Sequence, residues 1–209
     1  MNAKLRFFVA CFVAVIALHA EELQAIPADE MAKATPLLME ANTRLGELPL
    51  KLELDAGKAM GLKTAEVGLI LIPDKRLKDE KADKADRKKN KGAAIPVGQL
   101  WTLKLSPMEN GSVVPNDRLR LVKVATKEKQ RELAVYSLGI ERSGKKAFQL
   151  ALYAKEGSPV LRVPMTAAKS KGGAPVTLTA RQTGEHTGVV ELTLLGRYKA
   201  EIPFGKQAE

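Results

Sequence analysis

Few residues in this chain have the means to do chemistry, and their spacing argues against most reactions. His186 follows Glu185 in the segment Gly184-Glu185-His186-Thr187-Gly188. A general base oriented by its carboxylate neighbour is one reading. Adjacent residues of a strand point to opposite faces, so sequence adjacency does not build such a dyad. Glycine on both sides suits a hairpin tip better. The only other histidine, His19, lies in the N-terminal apolar segment, as does the only cysteine, Cys11. Zinc and non-haem iron sites want two or three imidazoles or thiolates, which this chain cannot supply. Calcium takes oxygen ligands alone, but no Asp-rich loop of regular spacing is present. Neither a Gly-x-Ser-x-Gly elbow nor a Gly-rich phosphate loop occurs. The sequence therefore implies no cofactor and no metal.

Carboxylates remain. Glu53, Glu141, Glu191 and Glu201 fall in strand-like stretches. Two of them facing each other at roughly 5–10 Å could hydrolyse a glycosidic bond, although their spacing gives this no support.

The strongest compositional feature is residues 74–91, DKRLKDEKADKADRKKNK. Nine bases (Lys75, Arg76, Lys78, Lys81, Lys84, Arg87, Lys88, Lys89, Lys91) stand against five acids, and only Leu77 is large and apolar. A helix of this composition would be polar all round and could bury nothing. The segment reads as a solvated insertion spanning 74–93. Its functional reading is a salt-dependent contact for an anionic polymer or envelope component such as teichoic acid, lipopolysaccharide, nucleic acid or acidic polysaccharide. The intermixed acids favour a plain solvated loop. Lys127, Lys129 and Arg131 make a second basic turn, and Lys169 and Lys171 a third. Strand topology decides whether these share a face with the insertion.

Six aromatic residues follow the N-terminal segment. Trp101, Phe148, Tyr198 and Phe204 sit on the apolar phase of their stretches and read as core, while Tyr153 is out of phase with Phe148 and reads as exposed. One ring is no stacking platform.

The elements that must position these residues begin after a leader. Lys4 and Arg6 precede the twelve-residue apolar run from Phe7 to Leu18, and Glu21 and Glu22 close it. That is the pattern of a signal peptide and is too short to span a bilayer. Ala20 offers a cut site, and Ala25 a second one. Cleavage after Ala20 lowers the formal charge from +10 to +8 and removes the lone cysteine. The expected product is secreted or periplasmic, has no transmembrane segment and carries no disulfide. Residues 21–47 read as a linker and a short helix over 36–45, with Thr35 as cap, Pro36 in the first turn and Gly46 as stop.

From residue 48 the period becomes two. Leu48, Leu50, Leu52 and Leu54 alternate with polar residues, and 67–72 is apolar on both faces. Further alternating stretches follow near 101–105, 118–126, 132–141, 146–154, 160–165, 175–181, 189–195 and 198–204, separated by turn signals such as Asn110-Gly111. A phase slip between Leu121 and Val122 suggests a bulge. The expected fold is one mostly β domain over 48–209: an antiparallel β-sandwich or barrel-like domain of about ten strands. The expected function is a non-enzymatic interaction domain meeting anionic envelope or extracellular polymers. The alternatives are a carboxylate-based hydrolase of polysaccharide or peptidoglycan, and a small-ligand carrier whose barrel holds an apolar molecule.

Overall fold

The computed structural model describes residues 23–77, 94–125, 130–144, 147–168 and 174–207. The leader and the greater part of the charged insertion lie outside these residues. Among these residues one α-helix, α1 (Ala28–Thr43), and two short 3-10 turns accompany thirteen strands. They are β1 (Gln24–Ala25), β2 (Met60–Lys63), β3 (Gly68–Pro73), β4 (Ile95–Leu103), β5 (Leu105–Glu109), β6 (Ser112–Val113) and β7 (Arg120–Ala125). β8 (Gln130–Arg142), β9 (Phe148–Tyr153), β10 (Pro159–Ala167), β11 (Val176–Gln182), β12 (Thr187–Leu194) and β13 (Tyr198–Lys206) complete the set.

Ten of the strands form one curled antiparallel sheet, a half-barrel, in the order β1-β2-β3-β4-β8-β9-β10-β13-β12-β11. The curl has a visible cause. At Lys104 the backbone turns left-handed, with φ 55. The chain leaves β4, and β5 crosses to pair with the far end of β13, Leu105 opposite Lys206 and Pro107 opposite Phe204. β12 lies along one edge of β13. The other edge is shared: β10 takes Tyr198–Ala200, and β5 takes the end near Lys206.

Two apolar layers explain why β3 reads as oily on both faces. Leu69, Leu71, Leu100, Tyr136 and Leu138 point into the main core inside the curl. Ile72, Trp101 and Val135, one residue out of phase, point outward and are covered by Leu38 and Ala41 of α1. A polar link joins helix to sheet inside this second layer. The Trp101 indole N–H donates to Gln99 Oε1 at 2.9 Å, and the Gln99 amide donates to Asn42 Oδ1 at 2.8 Å. A bulge beside Gly98 fits β4 to β8. A Cβ at Gly98 would lie 2.5 Å from the Ile72 carbonyl oxygen, so the close approach requires glycine.

Three expectations are corrected. The helix is longer than 36–45: it starts after Pro27, and Pro36 sits inside it. Asp29 and Glu30 occupy its first turn, where the helix dipole favours acids. The buried face is Thr35, Leu38 and Ala41, so a threonine and an alanine make up two of its three residues and conceal its period. Residues 48–54 are not a strand, apart from a single bridge from Leu54 to Asp74. The alternation is real, since Leu54 is buried, Leu52 packs on the helix layer and Leu50 fills the space left by Gly139. However, the Glu53 N–H bonds to a side chain, the Asp74 carboxylate, at 2.8 Å, in place of a ladder partner. The bulge expected between Leu121 and Val122 is absent, because β7 pairs with β8 in unbroken register from Arg120–Val135 to Ala125–Gln130. The Asn110-Gly111 turn stands as read: both residues have positive φ, 52 and 80, and join β5 to β6.

Gln99→Ala tests the helix link. It strands the buried Trp101 N–H and the Asn42 amide, so urea unfolding should show a loss of about 2–3 kcal/mol.

Candidate functional site

The antiparallel registers sort nine of the connections between strands to one end of the half-barrel or the other. At one end lie Pro73, Ile95, Arg142, Phe148, Ala167, Val176, Leu194 and Tyr198. The Ala168 N–H donates to the Arg197 carbonyl there at 2.6 Å, tying the β10 exit to the β12–β13 turn. Four connections leave this end: 74–94, 143–147, 168–175 and 195–197. They carry the nine bases of the insertion together with Lys145, Lys146, Lys169, Lys171 and Arg197. Against these fourteen cations stand only the five acids of the insertion. The β7–β8 turn, with Lys127 and Lys129, leaves the opposite end. Of the three basic segments noted in the sequence, the first and third are thus rooted at this end and the second at the other.

Of the nine candidate contact residues, Lys75 and Arg76 fall within the described residues, and both are held at the root of the insertion. The Lys75 N–H donates to the Glu53 carbonyl. Arg76 is committed to structure: its Nε and Nη2 donate to the Asp74 carboxylate, each at 2.9 Å, and Nη2 also reaches the Lys51 carbonyl at 2.6 Å. Leu77 is buried at 6% exposure. The other seven (Lys78, Lys81, Lys84, Arg87, Lys88, Lys89 and Lys91) lie outside the described residues. Asp74 is fully enclosed. Burial pushes its carboxyl up, but the Arg76 guanidinium and the backbone N–H groups of Glu53 and Arg76 outweigh that and hold it below the usual range.

Each of the four candidate carboxylates has a cationic partner, and Glu53 lies outside any strand. Glu191 and Glu201 are direct cross-strand partners and share Lys199. That ammonium, assisted by Arg181 at 3.5 Å, holds Glu201 below the usual carboxylate range, whereas a glycosidic acid needs a raised value. Glu141 is locked elsewhere: Arg162 and Gln149 donate to it at 2.8 Å, and the Tyr153 hydroxyl at 2.5 Å. Burial raises Glu141, but those three donors leave it net lowered, while burial and Glu141 itself push the Tyr153 hydroxyl up. Tyr153 is 7% exposed, which corrects its reading as a free ring. Glu53 is an exposed partner of Arg76. His186 stands on the β11–β12 hairpin tip, and its Nε2 lies 3.7 Å from Glu185, beyond hydrogen-bond reach.

One feature had no signal in the sequence. Where the sheet fails to close, β11 comes near β2. At the end opposite the cations, a cleft of about 680 Å³ opens between the β2–β3 turn and the β11–β12 hairpin. Leu105, Val190 and Phe204 line it beside Leu23, Val67 and Ala180. Lys206 and Glu66 pair beside it, and Arg181 and His186 also contribute. These are ordinary core and turn residues, brought together only by the curl.

Among the described residues, no group of three metal-ligating side chains occurs, and no helix is long and apolar enough to cross a membrane. Comparison with protein-family models, curated proteins and solved structures finds no match.

The Asp74 clamp gives a pH signature. A depressed folded-state value adds stability above the unfolded value near 3.9, and that stability is lost as pH falls through the folded value. Asp74→Asn should therefore cost about 2 kcal/mol at pH 7. Urea titrations at stepped pH should show the gap from the parent chain closing below about pH 4.

Proposed function

We propose that this chain is an exported, non-enzymatic interaction domain that holds an anionic polymer or envelope component at the cationic end of its half-barrel. One observation carries the reading. The fourteen cations and five acids of that end contrast with the opposite end, where the connections 64–67, 104, 126–129, 154–158 and 183–186 hold four cations and four acids. By sequence, the connections rooted at that end sum to +9, against +8 for the whole chain after cleavage at Ala20. Such a charge gradient orients the domain toward polyanions and speeds their capture at low salt. The engagement of Glu141, Glu191 and Glu201 with cations supports a non-catalytic role. A cut after Ala20 is compatible with the fold, since it leaves the pairing of Gln24 with Lys63 intact. The same pairing argues against Ala25 as the cut, which would remove β1.

The test is retention on immobilised heparin. Deletion of 78–91 keeps the Asp74–Arg76 clamp and the buried Leu77, so the fold should survive. The account expects elution at markedly lower salt and binding about tenfold or more weaker at low ionic strength. Lys145→Gln, Lys146→Gln, Lys169→Gln and Lys171→Gln together should lower it further, whereas Lys127→Gln with Lys129→Gln should change little. Unchanged elution in both the deletion and the quadruple variant would remove the proposal.

A further inference from the structure

The cleft at the open seam lies at the other end of the molecule from the cationic connections and is independent of them. Its volume, about 680 Å³, falls in the range of small-molecule sites, which favour the mouths of β-barrels and an apolar lining with few polar groups. The apolar side is built from opposite halves of the sheet. Leu105 is 8% exposed and Val190 and Phe204 are each 2% exposed, so a guest would rest on firm core. Val67, beside the β2–β3 turn, and Ala180, on β11, give each wall an apolar residue.

The charged groups beside the cleft select the head of the guest. Lys206 is 34% exposed and its partner Glu66 is 65% exposed. Glu66 is thus mostly in water already. A carboxylate entering with a guest could take its place on the half-buried ammonium without leaving a charge unpaired. Arg181, whose link to Glu201 is long at 3.5 Å, offers a second cation at the same rim.

We infer that the seam cleft binds an anionic amphiphile, an aliphatic chain ending in a carboxylate, with the chain along Leu105, Val190 and Phe204 and the head on Lys206 in exchange for Glu66.

The experiment is calorimetric or fluorescence-displacement titration of the full mature chain with straight-chain carboxylates of eight to twelve carbons and the matching alcohols. Saturable one-to-one binding is expected, tightening about fourfold per added methylene. Lys206→Gln should weaken it about tenfold, and the alcohols should bind correspondingly less well. Glu66→Gln removes the competitor and should tighten carboxylate binding. Ala180→Trp, its fold checked by thermal melting, should fill the cleft and abolish binding. Absence of saturable binding, or equal affinity in the folded Ala180→Trp variant, would overturn the site. Alcohols binding as well as carboxylates, or Glu66→Gln binding no tighter, would overturn the exchange at Lys206. Heparin retention should be the same in all three variants, so failure here is distinguishable from failure at the cationic end.

Discussion

One edge of β13 carries two strands that come from opposite halves of the sheet, β10 along its beginning and β5 along its end. That shared edge forces the curl. It requires the chain to swing at Lys104, where a left-handed backbone carries a non-glycine residue. Residues of this kind adopt that conformation at some cost, so tertiary pairing must hold it. The Thr102 hydroxyl donates to the Leu105 carbonyl at 2.7 Å across the same corner and helps to fix it. With the curl in place, antiparallel connectivity leaves those nine connections no choice of end. The end at which each of them is rooted, and the cleft at the seam, both follow from it.

The helix supplies the second constraint. An open sheet of this kind exposes its outer face, and here part of that face is apolar: Ile72, Trp101 and Val135 need cover. α1 provides it, and the chain after the helix continues the cover through Leu50, Leu52 and Leu54. Arg120 staples this strap to the sheet by donating to the carbonyls of Leu45, Glu47 and Ala154. The strap then meets the root of the charged insertion at Asp74. A buried carboxylate that accepts from both Arg76 and the Glu53 backbone lets a highly charged segment leave the sheet without loosening it.

Much of the fold was legible from alternation alone, because a half-buried strand writes its pattern directly into the sequence. β9, β11, β12 and β13 were readable for that reason. The strap was misread since alternation reports burial, not pairing, and the hydrogen-bond partner of Glu53 is a side chain twenty-one residues away. The helix was clipped because Thr35 and Ala41 carry its buried face and Pro36 reads as a start. The charged insertion was plain in composition. Its companionship with residues 168–175 depends on strand order, and no local pattern encodes that. The cleft was invisible for the same reason, as Leu23, Leu105, Ala180 and Phe204 meet only after the sheet has curled.

The sorting of connections into two ends is the claim on which both functional readings stand, and cysteine pairing reads it most directly. The chain after Ala20 contains no cysteine, so a double variant reports without background. Ala168→Cys with Arg197→Cys places thiols on residues whose backbones share a 2.6 Å hydrogen bond. Ala168→Cys with Glu185→Cys separates them by the length of β12, eight residues or about 24 Å of strand. A disulfide needs Cα atoms within about 7 Å. The account predicts that mild oxidation closes the first pair in the native monomer and leaves the second reduced. Closure of the second pair, or failure of the first, would contradict it.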